Sequence, residues 1–195
     1  MRTTFWLVRH GPTHSTAANG WTDIAADLSD HEQVARTSSM IPQEAVLVSS
    51  DLSRAVDTAT AIGGDRARLA HALDLREFNF GDWEGREFDE IAHNDPDASR
   101  HFWENPGDAA PPGGESFHML QGRVSRVLHD LAETYGDGHV CCVVHFGVIL
   151  TAIAHASNMP ASVATRFHID NLSVTRIEYL HRTDSWVVKA VNHLP

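Results

Sequence analysis

Three short apolar runs, Thr4–Val8, Ala45–Val48 and Val140–Val144, constrain the fold of this chain more than any other feature. They are short and rich in β-branched residues, and they read as strands buried on both faces. The second and third lead into helical patterns. After Ala45–Val48, the residues Leu52, Ala55, Val56, Ala59 and Ile62 recur at helical spacing until Gly63-Gly64, and Ser49-Ser50-Asp51 offers capping chemistry at the start. Behind Gly147, Ile149 and Ile153 mark a helix following the third run. A longer helix is expected from Ser116, where Leu120, Val124, Val127, Leu128 and Leu131 repeat until Gly136 and Gly138 stop it. A further short strand is expected within Arg68–Leu73. Asn171–Arg182 and Trp186–Val191 alternate as two antiparallel strands. Strands alternating with helices, then a hairpin, predict a three-layer α/β/α sandwich on a mixed, mostly parallel sheet.

A length of 195 residues suits one domain over 1–195. Its least regular part, about residues 75–115, reads as a lid-like insertion. There Phe78, Phe80, Trp83, Phe88, Phe102 and Trp103 are expected to pack as a satellite layer, interrupted by Pro96, Pro106 and Pro111-Pro112. Fifteen Lys and Arg against 26 Asp and Glu give a formal charge of -11, with no long basic run, which argues against a nucleic-acid partner. No apolar run reaches membrane-spanning length, and Phe5–Val8 is too short for a secretory core, so a cytoplasmic location is the default. Cys141 and Cys142 are adjacent on an expected strand. Their side chains then point to opposite faces, as core residues and not as a disulfide.

Chemistry collects where the strands end. The first runs into Arg9-His10-Gly11, the second leads to Arg54, and the third ends at His145 before Gly147. In an open α/β sheet the C-terminal strand ends form the natural crevice. Two arginines and two histidines converging there, beside helix N-termini, make an anion site, because guanidinium forks match phosphoryl oxygens. Each residue also has a plainer reading: His10 as a structural histidine, Arg54 as a solvated helix residue, His145 as a partner for a loop. Their recurrence at equivalent places favours the anion site. The competing chemistries lack their patterns. Among 14 histidines there is no H-x-H pair or H-E-x-x-H helix, the cysteines lack C-x-x-C spacing, and no G-x-S-x-G elbow occurs.

The stretches LVRHGPTHS, SSDLSRAVDTA, LREFNFGDWEG and VVHFGVI, together with the loop PPGGESF, resemble the motifs of the histidine phosphatase superfamily, the phosphoglycerate mutase-like family. The four main blocks keep the family's order and extend from residue 7 to about residue 150. The resemblance implies a mixed sheet flanked by helices. It implies His10 as a nucleophile forming a transient phosphohistidine, and Arg9, Arg54 and His145 as holders of the phosphoryl oxygens. Glu77 would be the proton donor to the leaving oxygen and then the base for water. Spacing alone does not single out Glu77 from Asp74, Glu84 and Glu87. No metal or other cofactor is implied, and the partner would be a small phosphate monoester. The oligomeric state stays open.

Three positions depart from the family's pattern. Pro12 stands where Glu or Gln is common, and Thr16 stands where an Asn often contacts phosphate, leaving a hydroxyl with less reach. Phe146 replaces the first glycine of H-G-G; over the pocket its ring would favour an apolar or aromatic alcohol in the substrate, and buried it would say nothing. The segment REFDEIAHNDPDASRHFWENPGD is short and mainly acidic, with Arg86, Arg100 and His101 as basic candidates. That favours phosphomonoester hydrolysis over a phosphoglycerate mutase, which needs a second anion site and must exclude water. A non-catalytic protein binding a phosphorylated ligand is the remaining alternative.

Overall fold

Alternation of side chains along the apolar runs builds the layers. In the strand β1 (Arg2–Arg9), Phe5 and Leu7 enter one core while Trp6 and Val8 face the other. The strand β3 (His139–Val144) repeats this, with Val140, Cys142 and Val144 on the first side and Cys141 and Val143 on the second. A sheet apolar on both faces requires helices on both. The structure, a computed structural model describing residues 1–195, supplies them. Helices α5 (Phe117–Tyr135) and α6 (Phe146–Ser157) cover the larger core, and α1 (His31–Met40) and α2 (Ser53–Gly63) cover the smaller. Both thiols are free and buried, and burial pushes Cys141 up to about 12 and Cys142 well above its ordinary value.

The sheet order is β2-β3-β1-β4-β5, with β2 at Val46–Ser49, β4 at Val174–Leu180 and β5 at Ser185–His193. The pairs β2–β3 and β3–β1 are parallel, and β1–β4 and β4–β5 antiparallel, so β4 alone runs against the other four. This is the expected three-layer sandwich on a mixed, mostly parallel sheet. Ser116 caps α5 by accepting a hydrogen bond from the Met119 N–H, and Gly136 ends the helix at positive φ.

Three local expectations fail. Residues 68–73 form no strand; a single parallel bridge joins Leu47 and Arg68, after which the chain turns away through a 3-10 turn at Leu73–Leu75. Beyond the bridge the ladder is not continued residue by residue: the next backbone bond to β2 is the Ala72 N–H donating to the Ser49 carbonyl at 2.9 Å. The cap of α2 does not come from Ser49-Ser50-Asp51. Asp23, from a distant loop, accepts from both the N–H and hydroxyl of Ser53 at 2.7 Å, while Ser50 contributes only a hydroxyl that accepts from the Leu52 N–H at 3.2 Å, just before the helix, and Asp51 pairs with Arg76. The segment 88–104 is also more regular than its composition suggests. It holds α3 (Phe88–Asn94) and α4 (Pro96–Glu104), with Pro96 opening the second helix instead of breaking one. A third small core, of Ala18, Trp83 and Ile91 with Phe80 and Phe102 against it, anchors this region. The short α7 (Ala161–Ala164) completes the chain's helices.

Candidate active site

The strand order puts β3 beside β1, so the ends of these neighbours deliver His145 and His10 side by side. The His10 N–H donates to the Val144 carbonyl at 3.0 Å, and the Asn171 amide donates to the His10 carbonyl at 2.8 Å. The two rings lie 5.1 Å apart, centroid to centroid. Gly11 follows because a Cβ there would lie 2.6 Å from Leu28 Cδ2. Its N–H donates to the Thr58 hydroxyl at 2.9 Å.

His10 is 7% exposed, and its Nδ1 lies 2.7 Å from the Gly11 carbonyl oxygen. A carbonyl can only accept, so Nδ1 carries the proton and Nε2 presents a lone pair. Burial, then the nearby Arg54 and Arg9 cations, pull the pKa of His10 down to about 3, against a partial opposing pull from the Gly11 carbonyl. The ring is therefore neutral at pH 7. His145 is fully buried and likewise held well below its ordinary pKa, by burial first and then by His10 and the arginines. Its Nε2 lies 2.8 Å from the Ser50 hydroxyl, while Nδ1 has no partner within the protein.

Arg54 sits on the first turn of α2 and is 2% exposed. Its guanidinium donates to the carbonyls of Thr22, Gly20 and Asn19 at 2.9, 2.6 and 3.2 Å, which leaves two N–H groups unused. The loop offering these carbonyls is tied down by Glu84, which accepts from the N–H groups of Gly20, Trp21, Thr22 and Phe80 and from the Thr22 hydroxyl. Burial works to raise the Glu84 pKa, but those hydrogen bonds win and lower it. Arg9 donates once, to the Ile169 carbonyl at 2.5 Å, and its buried Nε has no partner.

Glu77 arrives from the irregular segment and is 8% exposed. Its carboxylate caps the start of α6: the Gly147 N–H donates to both oxygens at 3.0 Å, and the Phe78 N–H to Oε1 at 2.9 Å. The approach is close enough that a Cβ on Gly147 would lie 2.4 Å from Glu77 Oε1 and 2.5 Å from the Phe78 ring. The backbone of Glu77 is held as firmly. Its carbonyl accepts from Arg123 at 2.7 Å and from the Trp21 indole at 3.0 Å. Arg123 also donates to the carbonyls of Asp74 and Arg76 and forms a buried two-pronged pair with Glu115. Arg76 pairs with Asp51 and stacks on Trp21, 4.9 Å from its ring.

A cavity of about 570 Å³ opens above this floor, reaching Arg9 and Glu77 and walled largely by aromatic rings. Phe146 lines it, with the Arg9 guanidinium 5.4 Å from the ring centroid, so its side chain turns toward the pocket and not only into the core. Thr16 is at the exposed rim, where its hydroxyl donates to Glu87 at 2.9 Å. The structure thus gathers Arg9, His10, Arg54, Glu77 and His145 around one floor and leaves Thr16 and Phe146 on the walls. Sequence reasoning gave Ser50 only a capping task, weighed Glu84 only as an alternative to Glu77, and assigned none to Glu115 or Arg123. Three of these lie inside the motif blocks SSDLS, GDWEG and GGESF, which was the available signal; Arg123, within α5, carried none. No group of three His, Cys, Asp or Glu side chains is arranged to hold a metal ion.

A neutral buried histidine among arginines, at the strand ends of an α/β sandwich, belongs to enzymes that move phosphoryl groups through histidine. The chain belongs to the histidine phosphatase superfamily, branch 1, whose family model matches residues 5–193. Among its relatives, the adenosylcobalamin/alpha-ribazole phosphatase of Salmonella typhimurium is 29% identical over 172 residues, covering 85% of each chain. The glucosyl-3-phosphoglycerate phosphatase of Mycolicibacterium vanbaalenii is 33% identical over 168 residues, covering 79% of this chain and 74% of that one. Among solved structures, YhfR of Bacillus stearothermophilus is 30% identical with a TM-score of 0.87, covering 97% of this chain and 96% of that one.

Proposed function

We propose that this phosphomonoesterase hydrolyses a small phosphorylated metabolite with His10 as its nucleophile and Glu77 as its proton carrier. The reading rests on one observation above the rest: a buried, neutral His10 whose Nδ1 is held by the Gly11 carbonyl, leaving Nε2 free, close to the buried Arg54 and the half-buried Arg9, which both keep unused N–H groups. In the first step Nε2 attacks phosphorus in line, the bond to the alcohol oxygen breaks, and Glu77 gives that oxygen its proton. In the second, Glu77 takes a proton from water, the water oxygen attacks phosphorus, the N–P bond breaks, and His10 is restored with release of inorganic phosphate. Arg9, Arg54 and His145 hold the equatorial oxygens and offset charge developing there. Thr16 and Phe146 contact the alcohol portion, and residues 75–115 serve as the lid over it.

Hydrolysis is favoured over mutase chemistry because Arg9 is the single basic residue lining the cavity, so a second phosphate or carboxylate has no dedicated partner. Of the basic candidates in the insertion, Arg86 pairs with Glu90, and none of Arg86, Arg100 and His101 lines the cavity. No helix is long and apolar enough to cross a membrane, and the proposed location is the cytoplasm. The test is release of inorganic phosphate from a panel of metabolite phosphates without added metal. Turnover with an acid-labile, alkali-stable phosphoenzyme, both lost in His10→Ala, supports the proposal. Turnover retained in His10→Ala refutes it.

A further inference from the structure

Resting on the phosphatase reading, we infer that the alcohol portion of the substrate carries an aromatic ring or comparably flat apolar group, and that Trp103 and Phe88 select it. Large aromatic side chains are normally covered, yet Trp103 is 57% exposed and Phe88 39% exposed, and both line the cavity that reaches Arg9 and Glu77. They are packed into a cluster of rings and do not stand alone on the surface. Phe88 packs on Trp103 at 5.8 Å and on Phe80 at 6.3 Å, while Phe102 packs on Trp103 at 4.9 Å and on Phe80 at 6.5 Å, all edge to face.

The occupant follows from this continuity. One cavity of about 570 Å³ runs from the proposed phosphoryl site to these rings, within the range of ordinary ligand pockets. A three-carbon phosphate would leave the far rings uncovered. A second anion would meet no cation beyond Arg9 and would sit near the acidic rim that Glu87 contributes through its bond to Thr16. A neutral ring reaching from the phosphate to Trp103 covers exposed aromatic surface and adds no unpaired charge.

The test compares 2-phenylethyl phosphate with ethyl phosphate. Both release simple alkoxides, so the ease of leaving is held nearly constant and the ring is what differs. The expected kcat/KM ratio is about tenfold or more in favour of the phenyl ester. Trp103→Ala, with folding checked by thermal unfolding, is expected to lower that ratio about fivefold, as loss of one aromatic contact does. Phe88→Leu provides the same reading if the first variant does not fold. Hydrolysis of both esters at similar kcat/KM overturns the aromatic-substrate inference alone. An unchanged ratio in a folded rim variant overturns the part given to the rim. Hydrolysis of neither ester, nor of any phosphate in the wider panel, overturns the phosphatase reading beneath it.

Discussion

Gly147→Ala tests the link between the start of α6 and the proposed acid. A Cβ at position 147 would lie 2.4 Å from Glu77 Oε1 and 2.5 Å from Phe78 Cδ2. Restoring van der Waals contact moves the carboxylate by about 1 Å, a displacement that costs about 100-fold when it affects a reacting group. The same move lengthens the charged hydrogen bonds from the Gly147 N–H. Together, overpacking and the weakened bonds cost about 2–4 kcal/mol of stability. In a chain of 195 residues that lowers Tm by roughly 5–15 °C. Single-turnover and steady-state assays below the new Tm, using an alkyl phosphate and p-nitrophenyl phosphate, separate the two effects. The alkyl ester needs a proton on its leaving oxygen far more than the nitrophenolate does, so its kcat is expected to fall about 100-fold and the aryl rate much less. An alkyl rate within about twofold of wild type, in a folded variant, would refute the assigned role of the Glu77–Gly147 contact.

Glu77→Gln removes the transferable proton while keeping the Gly147 hydrogen bond, and alkyl phosphate turnover is expected to drop about 10²–10⁴-fold with a smaller loss on p-nitrophenyl phosphate; equal losses on the two esters would contradict the acid role. Arg123→Met leaves Glu115 buried and unpaired, which costs about 3–5 kcal/mol and lowers Tm by about 10 °C; calorimetry showing no change would contradict the framing role of this pair. The depressed pKa values of His10 and His145 mean that the unfolded chain binds more protons than the folded one below the ordinary histidine pKa of 6.5, so stability is full above that pH and declines as pH falls toward about 3. Thermal unfolding across this range is expected to show a shallower decline in His10→Gln, and a slope identical to wild type would contradict the neutral, buried state of His10.

The layers of this protein were legible because the forces that build them act within a few residues of chain. The run Val140–Val144 is apolar at every position, which demands cover on both faces, and Ser116 and Gly136 bound α5 by local backbone chemistry. The placement of Arg9, His10 and His145 at strand ends followed from the same runs. Short helices were less legible. Within α1, HEQVARTSSM buries only Val34 and Thr37, too few positions to impose a helical period. Thr16 and Phe146 were visible as departures, but nothing near them in sequence tells whether a side chain meets the cavity, Glu87 or the core.

Glu77 shows most plainly what tertiary structure decides. Asp74, Glu84 and Glu87 are comparable carboxylates in the same stretch, yet Glu87 holds Thr16, Glu84 fastens the loop whose carbonyls grip Arg54, and Asp74 contributes its carbonyl to Arg123. Glu77 alone among them reaches the Gly147 N–H, seventy residues away in the chain, because Arg123 and Glu115 hold its backbone in place. The residue types and their strand-end positions are local properties and were written in the sequence. Which carboxylate serves the floor, and which rings face the substrate, depends on contacts between distant segments whose closure only the folded chain brings about.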